Sequence, residues 1–182
     1  MATANTAIVL SASRTQIIKA LAQFKNKEAS AWLPAGHPCP TGAILNAGGR
    51  PLRSFPTFLA NFSNAQTAVL LAAVAPNHCL DGWSYFSRAM EALVSGDMHA
   101  ARHLSYYAQL RAAMSILAFS GVGIFNGLNF VIDRTGRRTQ VLDGKGTHSA
   151  VWEALEAWAA QSTPNARFFD VIALGGVPIS DS

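Results

Sequence analysis

The chain predicts a mainly α (α+β) fold: a helical bundle around a central buried helix at 97–119, with a small antiparallel β-meander at about 122–142. Three observations carry this. The stretch DMHAARHLSYYAQLRAAMSILAF, Asp97 to Phe119, is the longest with helical spacing, and Gly96 and Gly121 bracket it. After Gly121 the apolar period shortens, and Asn126-Gly127 offers a two-residue hairpin turn. The 182 residues are half hydrophobic and only 13% charged, which supplies a real core and excludes disorder.

In chain order, Ser11 or Ser13 caps a first helix running to about Lys25, with Ile17, Ile18, Leu21, Ala22 and Phe24 at mainly helical spacing. Residues 33–56 form a long irregular loop, broken by Pro34, Pro38, Pro40, Pro51 and Pro56. Within it Gly48-Gly49-Arg50 offers backbone N–H groups to an anion, but it matches no phosphate or dinucleotide pattern. Arg50 and Arg53 are the loop's cations. Thr57 caps a second helix, which Pro76 ends after about Ala75. A third runs from Asp81 to about Val94; Trp83, Phe86, Met90 and Leu93 form its apolar face, and Ser95-Gly96 stops it. So short a connection makes this helix and the central one an antiparallel hairpin.

Asp97 suits the N-cap of the central helix. At about 100° per residue, His99, Arg102, Tyr106, Gln109 and Ala113 occupy a polar arc roughly 80° wide, and most of the remaining circumference is apolar. Such a helix is expected to be buried on most sides. Val122–Phe125 and Leu128–Asp133 then read as strands, and Thr135-Gly136 turns the chain into Arg138–Leu142. Thr147 or Ser149 caps a last helix to about Gln161, with Val151, Leu155 and Trp158 on one face. Arg167–Val177 reads as a strand or a short helix. The whole is one domain over 1–182, either a small protein or the N-terminal domain of a longer one.

The formal net charge of +4 permits an anionic partner, yet no dense Lys/Arg run is present. The tightest basic group is Arg134, Arg137 and Arg138, in a turn. Cys39 and Cys79 lie near His37 and His78, but adjacent His78 and Cys79 cannot easily both reach one metal, so no metal and no cofactor is expected. The N-terminus has no positive n-region and does not read as a signal peptide. The uncharged stretch Ala112–Ile132 is long enough to span a bilayer. Its Gly121, Gly123, Asn126, Gly127 and Asn129 read instead as a helix end and a buried hairpin. A cytoplasmic protein without a membrane segment is expected.

Three constellations carry the functional expectations. Arg111 and His103 interrupt the apolar arc of the central helix, eight residues apart in sequence, about 12 Å along the axis. A buried Arg needs a partner, for which Glu91, Asp133 and Glu153 are the candidates. His148, at the start of the last helix, is able to join either this pair or the polar strip His99, Arg102, Tyr106 and Gln109. The strip His99, Arg102, Tyr106 and Gln109 combines a cation, a ring and hydrogen-bonding groups, suited to a nucleic-acid backbone or base; the bland reading is a solvated helix face. For catalysis, no G-x-S-x-G elbow, H-E-x-x-H helix or phosphate loop occurs.

The segment WSYFSRAMEALVSGDMHAARHLSYYAQLRAAMSILAFSG, residues 83–121 with the Tyr106-Tyr107 pair after a short turn, resembles the core helical pair of the HEPN-like superfamily, including YaaC-like bacterial proteins. Active members are metal-independent ribonucleases carrying Arg, four to six residues, then His on one helix. Here Ile116, Leu117 and Ala118 follow Arg111 at that spacing, Tyr107, Ala108 and Gln109 follow Arg102, and Leu93, Val94 and Ser95 follow Arg88. The resemblance therefore implies the non-catalytic branch, modules binding nucleic acid or partner proteins in bacterial defence or stress systems. The expected function is a binding or assembly module whose partner is a protein, a second copy of the chain or nucleic acid. The alternative is a nuclease or other small enzyme using His103, Arg111 and His148.

Overall fold

The computed structural model describes residues 4–22, 62–125, 128–142 and 144–160, with short strands at 173–174 and 177–178. The fold is mainly helical with a small three-stranded sheet, as the sequence predicts. Its elements are α1 (Ala4–Leu10), α2 (Arg14–Leu21), α3 (Asn64–Val94), α4 (Met98–Ser120), β1 (Val122–Phe125), β2 (Leu128–Ile132), β3 (Arg138–Gln140), α5 (Thr147–Ala159), β4 (Ala173–Leu174) and β5 (Val177–Pro178). The expected loop at 33–56, with Gly48-Gly49-Arg50, and the Asn126-Gly127 turn lie outside the described residues.

The N-terminal region forms two helices instead of one, and Ser13 stands at the N-cap of the second. The larger departure is α3. The two helices expected on either side of Pro76 are a single helix of 31 residues. Ser63 caps it in a reciprocal capping box with Gln66. Proline in a helix interior removes one N–H donor, here to the Ala72 carbonyl, and costs about 3 kcal/mol. Burial offsets this: Thr67, Ala68 and every residue from Leu70 to Ala75 are buried. The Ser115 hydroxyl of α4 also donates to the Ala75 carbonyl at 2.7 Å, beside the proline.

α4 begins where expected. Asp97 accepts from the Ala100 N–H at 2.9 Å, and Gly121 ends the helix in the left-handed conformation, φ +99°. β1, β2 and β3 form the expected antiparallel meander. Cross-strand partners share a face, so Val122, Val131, Ile124 and Asn129 look one way, Gly123 and Phe130 the other. Both faces are covered. Phe130 and Ile132 pack with α2 and the first half of α3, while Val122, Ile124 and Val131 pack with α1, α4 and α5. The Phe130 ring lies over Gly123, where an added Cβ would come within 2.9 Å of three ring carbons.

α5 starts at Thr147 from an N-cap at Gly146, not from a Thr147 or Ser149 cap. Its inner face is Ala150, Val151, Ala154 and Ala157. Asn129, fully buried in β2, donates to the Leu142 and Lys145 carbonyls at 3.1 and 3.4 Å and so holds the approach to α5. Asn129→Leu removes one donor from each carbonyl while the Leu142 oxygen keeps the Lys145 N–H at 3.2 Å, so a loss of about 1 kcal/mol in urea unfolding is expected; an unchanged midpoint would remove Asn129 from this role.

The expectation that α4 is buried on most sides is not met. Leu110, Ala113, Met114, Leu117 and Ala118 are in the core, but His99, Arg102, His103 and Gln109 are exposed. The reason is geometric. The core surrounds only the C-terminal half of α4 and the N-terminal half of α3. Beyond it, among the described residues, the two helices cover each other, and α5 reaches α4 at Tyr106 and Tyr107 through His148 and Trp152.

Candidate functional site

The free half of this hairpin is where the candidate site lies. Gly82 and Ala89, seven residues apart, are the buried residues of α3 beyond His78. At Gly82 an added Cβ would stand 3.4 Å from the Ala108 carbonyl oxygen and 3.5 Å from the Ala112 nitrogen. Small residues thus bring the helix backbones close together. Ala101 and Ala108 are buried on α4. A seam of such small side chains leaves the large apolar ones to point elsewhere.

Where they point follows from helix geometry. At about 100° per residue, α3 from Leu80 to Val94 has three arcs. Gly82, Tyr85, Ala89 and Ala92 share one, which includes the α4 seam. Asp81, Ser84, Arg88 and Glu91 form a polar arc. Leu80, Trp83, Phe86, Met90, Leu93 and Val94 fill the third, roughly 140° wide, interrupted only by Ser87. These six side chains are between 44% and 85% exposed. Trp83 and Phe86 meet edge to face, centroids 6.0 Å apart. The apolar face that the sequence shows is therefore the outer face of α3.

Between the helix ends lies an open groove of about 350 Å³. α3 contributes Ala89, Met90 and Leu93; α4 contributes Met98, Ala101 and, along one edge, Arg102, Ser105, Tyr106 and Gln109. The groove thus takes in Arg102, Tyr106 and Gln109 of the predicted strip. Tyr106 is anchored from behind: its hydroxyl and His148 Nδ1 of α5 are 2.6 Å apart with the rings stacked, and Trp152 Nε1 donates to the same hydroxyl at 3.4 Å.

The predicted trio separates. His103 is exposed and meets Tyr107 edge-on at 4.9 Å, Tyr107 in turn stacking on Tyr85 of α3. His148 is held by Tyr106. Arg111 turns to α3, where its Nη1 lies 3.3 Å from His78 Nδ1 and its Nε 3.8 Å from an Asp81 carboxylate oxygen. Glu91, Asp133 and Glu153 are not its partners. Asp133 Oδ1 accepts from the Thr135 N–H and hydroxyl and the Arg137 N–H, and these bonds hold its carboxyl below the usual carboxylate range. Glu153 pairs with Lys145, and Glu91 is exposed on α3's polar arc.

His78 was the missed residue. Buried beside Leu71, Met114 and Leu117, it has its pKa lowered from 6.5 to about 4, first by burial and then by the Arg111 charge. A helix ending at Pro76 hides this pair; a continuous one puts His78 and Asp81 three residues apart, on adjacent turns facing α4. Cys79 is exposed while His78 is buried, so the two point apart. Among the described residues no three His, Cys, Asp or Glu side chains are placed to hold a metal ion, and no helix is long and apolar enough to cross a membrane.

The basic turn is partly committed to structure. Arg138 donates through its guanidinium to Thr67 Oγ1 at 3.4 Å and through its backbone N–H to Asn64 Oδ1 at 3.2 Å. The Arg134 carbonyl accepts from Gln16. Arg134 and Arg137 are exposed. Comparison with family models, with curated proteins and with solved structures gives no match.

Proposed function

We propose that the chain is a non-catalytic helical module that docks a protein partner through the outer face of α3. One observation carries the reading: six large apolar side chains share one exposed arc on a part of the hairpin that the core does not reach. The largest apolar patch on an ordinary monomer is roughly 300–600 Å² and often functional. An arc of six such residues is at or above that size, and approaches the ~800 Å² that each partner gives a standard interface. A module of this kind accords with the non-catalytic branch of the HEPN-like resemblance and its multi-component bacterial systems.

Nucleic acid is the other class of partner the sequence allows. Its two groups of cations lie far apart, however. Arg138 sits against Thr67, while Arg102 shares a groove with Met90; 23 residues of helix separate those positions, about 35 Å. Catalysis by His103, Arg111 and His148 is less supported again, because Arg111 and His148 are each engaged by a different helix.

Size-exclusion chromatography with light scattering tests the docking face. The wild-type protein is expected to associate in a concentration-dependent way, and Trp83→Asp/Met90→Asp to be monomeric and still folded. A strict monomer that also ignores nucleic acid would contradict the proposal.

A further inference from the structure

The groove at the tip of the hairpin adds chemistry that the apolar arc alone lacks. Ala89 and Ala101 lie at its base, both buried, and their small side chains create the depression. Met90, Leu93 and Met98 supply an apolar rim, each close to half exposed. The α4 edge runs from Met98 to Gln109, eleven residues, about 16 Å or three helical turns.

The charge of this edge is one-sided. Arg102 is exposed and forms no ion pair among the described residues. The nearby carboxylates are directed elsewhere: Asp97 caps the first turn of α4, and Glu91 lies on the polar arc of α3, away from Leu93. The whole chain carries a formal +4, which draws in an acidic partner.

Resting on the docking reading above, we infer that this groove receives an acidic amphipathic helix of another protein. The helix lays large apolar side chains over Ala89 and Ala101 between the two methionines, in the manner of helix-in-groove recognition. A carboxylate on its flank meets Arg102. The apolar contacts supply affinity, and the single cation sets which helices are accepted.

Two designed helical peptides of about 18 residues test this by fluorescence anisotropy. Both carry leucines at i, i+3, i+4 and i+7; one is flanked by glutamates, the other by lysines. At low salt the glutamate peptide is expected to bind about fivefold more tightly, the worth of one rim charge pair near 1 kcal/mol. Arg102→Glu should reverse the order, and high salt should shrink the difference. Ala101→Trp, which fills the base, should abolish binding of both peptides while circular dichroism reports an intact fold.

Equal affinities that Arg102→Glu leaves unchanged would overturn the acidic helix yet keep the docking face, provided Met90→Asp still weakens both peptides. Binding of neither peptide to the folded protein would overturn both readings. A dimer that Ala101→Trp dissociates and neither peptide displaces would give the groove to a second copy of the chain, and overturn the inference.

Discussion

Gly121→Ala is expected to lower the unfolding free energy by about 3 kcal/mol, whereas Gly96→Ala, at the other end of α4, costs about 1 kcal/mol. Both glycines have positive φ, +99° and +85°, so both substitutions meet the left-handed backbone penalty. They differ in surroundings. Among the described residues nothing lies within 4 Å of a Cβ added at Gly96, but at Gly121 it would stand 2.9 Å from the Ser13 nitrogen and 3.1 Å from the Ile132 carbonyl oxygen. Three segments meet there through backbone bonds. Ile132 N–H donates to the Gly121 carbonyl at 2.8 Å, and Ser13 N–H donates to the Ile132 carbonyl at 2.9 Å. A methyl group at this junction pushes α2, α4 and β2 apart, and no flexible side chain is available to give way. Urea unfolding of the two variants checks this; equal losses would show that the junction tolerates the methyl group.

Acid is expected to destabilise the protein through His78, by about 3 kcal/mol between pH 7 and pH 4. The folded-state pKa is about 4 against an ordinary 6.5. Between those values the unfolded chain binds the proton and the folded chain does not. Stability from the neutral imidazole is therefore full above pH 6.5 and is lost as the pH falls towards 4. Protonation would place a second cation against Arg111 on a buried imidazole lined by Leu71, Met114 and Leu117. His78→Asn keeps an acceptor near the Nδ1 position without a titrating ring. Its stability should fall less over the same range, by about the amount stated. Parallel pH profiles for wild type and His78→Asn would assign the acid sensitivity to other groups.

Much of the fold is legible in the sequence because the signals are local. Asp97 and Gly121 mark the ends of α4 through cap chemistry, and the change of apolar period after Gly121 marks the meander. Pro76 misleads for a physical reason. Its local cost is real, but the buried run Leu70–Ala75 and the Ser115 bond outweigh it, and those are tertiary terms. Losing the continuous helix also hid His78 and Asp81 as partners of Arg111.

The candidate site was legible in parts. The strip Arg102, Tyr106 and Gln109 is found along the groove, as its spacing predicts. The sequence shows the apolar face of α3 but not its direction. Trp83, Phe86, Met90 and Leu93 look like core by periodicity, but Gly82 and Ala89 make the helix contact. A small-residue seam at i and i+7 opposite an apolar arc is the signal that would have shown it. The sequence allows His148 to join the strip, but across 42 positions it does not specify that Tyr106 is the residue it meets.

The outward direction of this arc is most directly tested by urea unfolding of Trp83→Gln/Phe86→Gln/Met90→Gln under conditions where the protein is monomeric. Side chains that face solvent and wait for a partner contribute little to the stability of the lone chain, so a midpoint within about 1 kcal/mol of wild type is expected. Three large apolar residues packed in a core would instead cost well over 5 kcal/mol together. A loss of that size would place the arc inside the protein's own core and contradict a docking face.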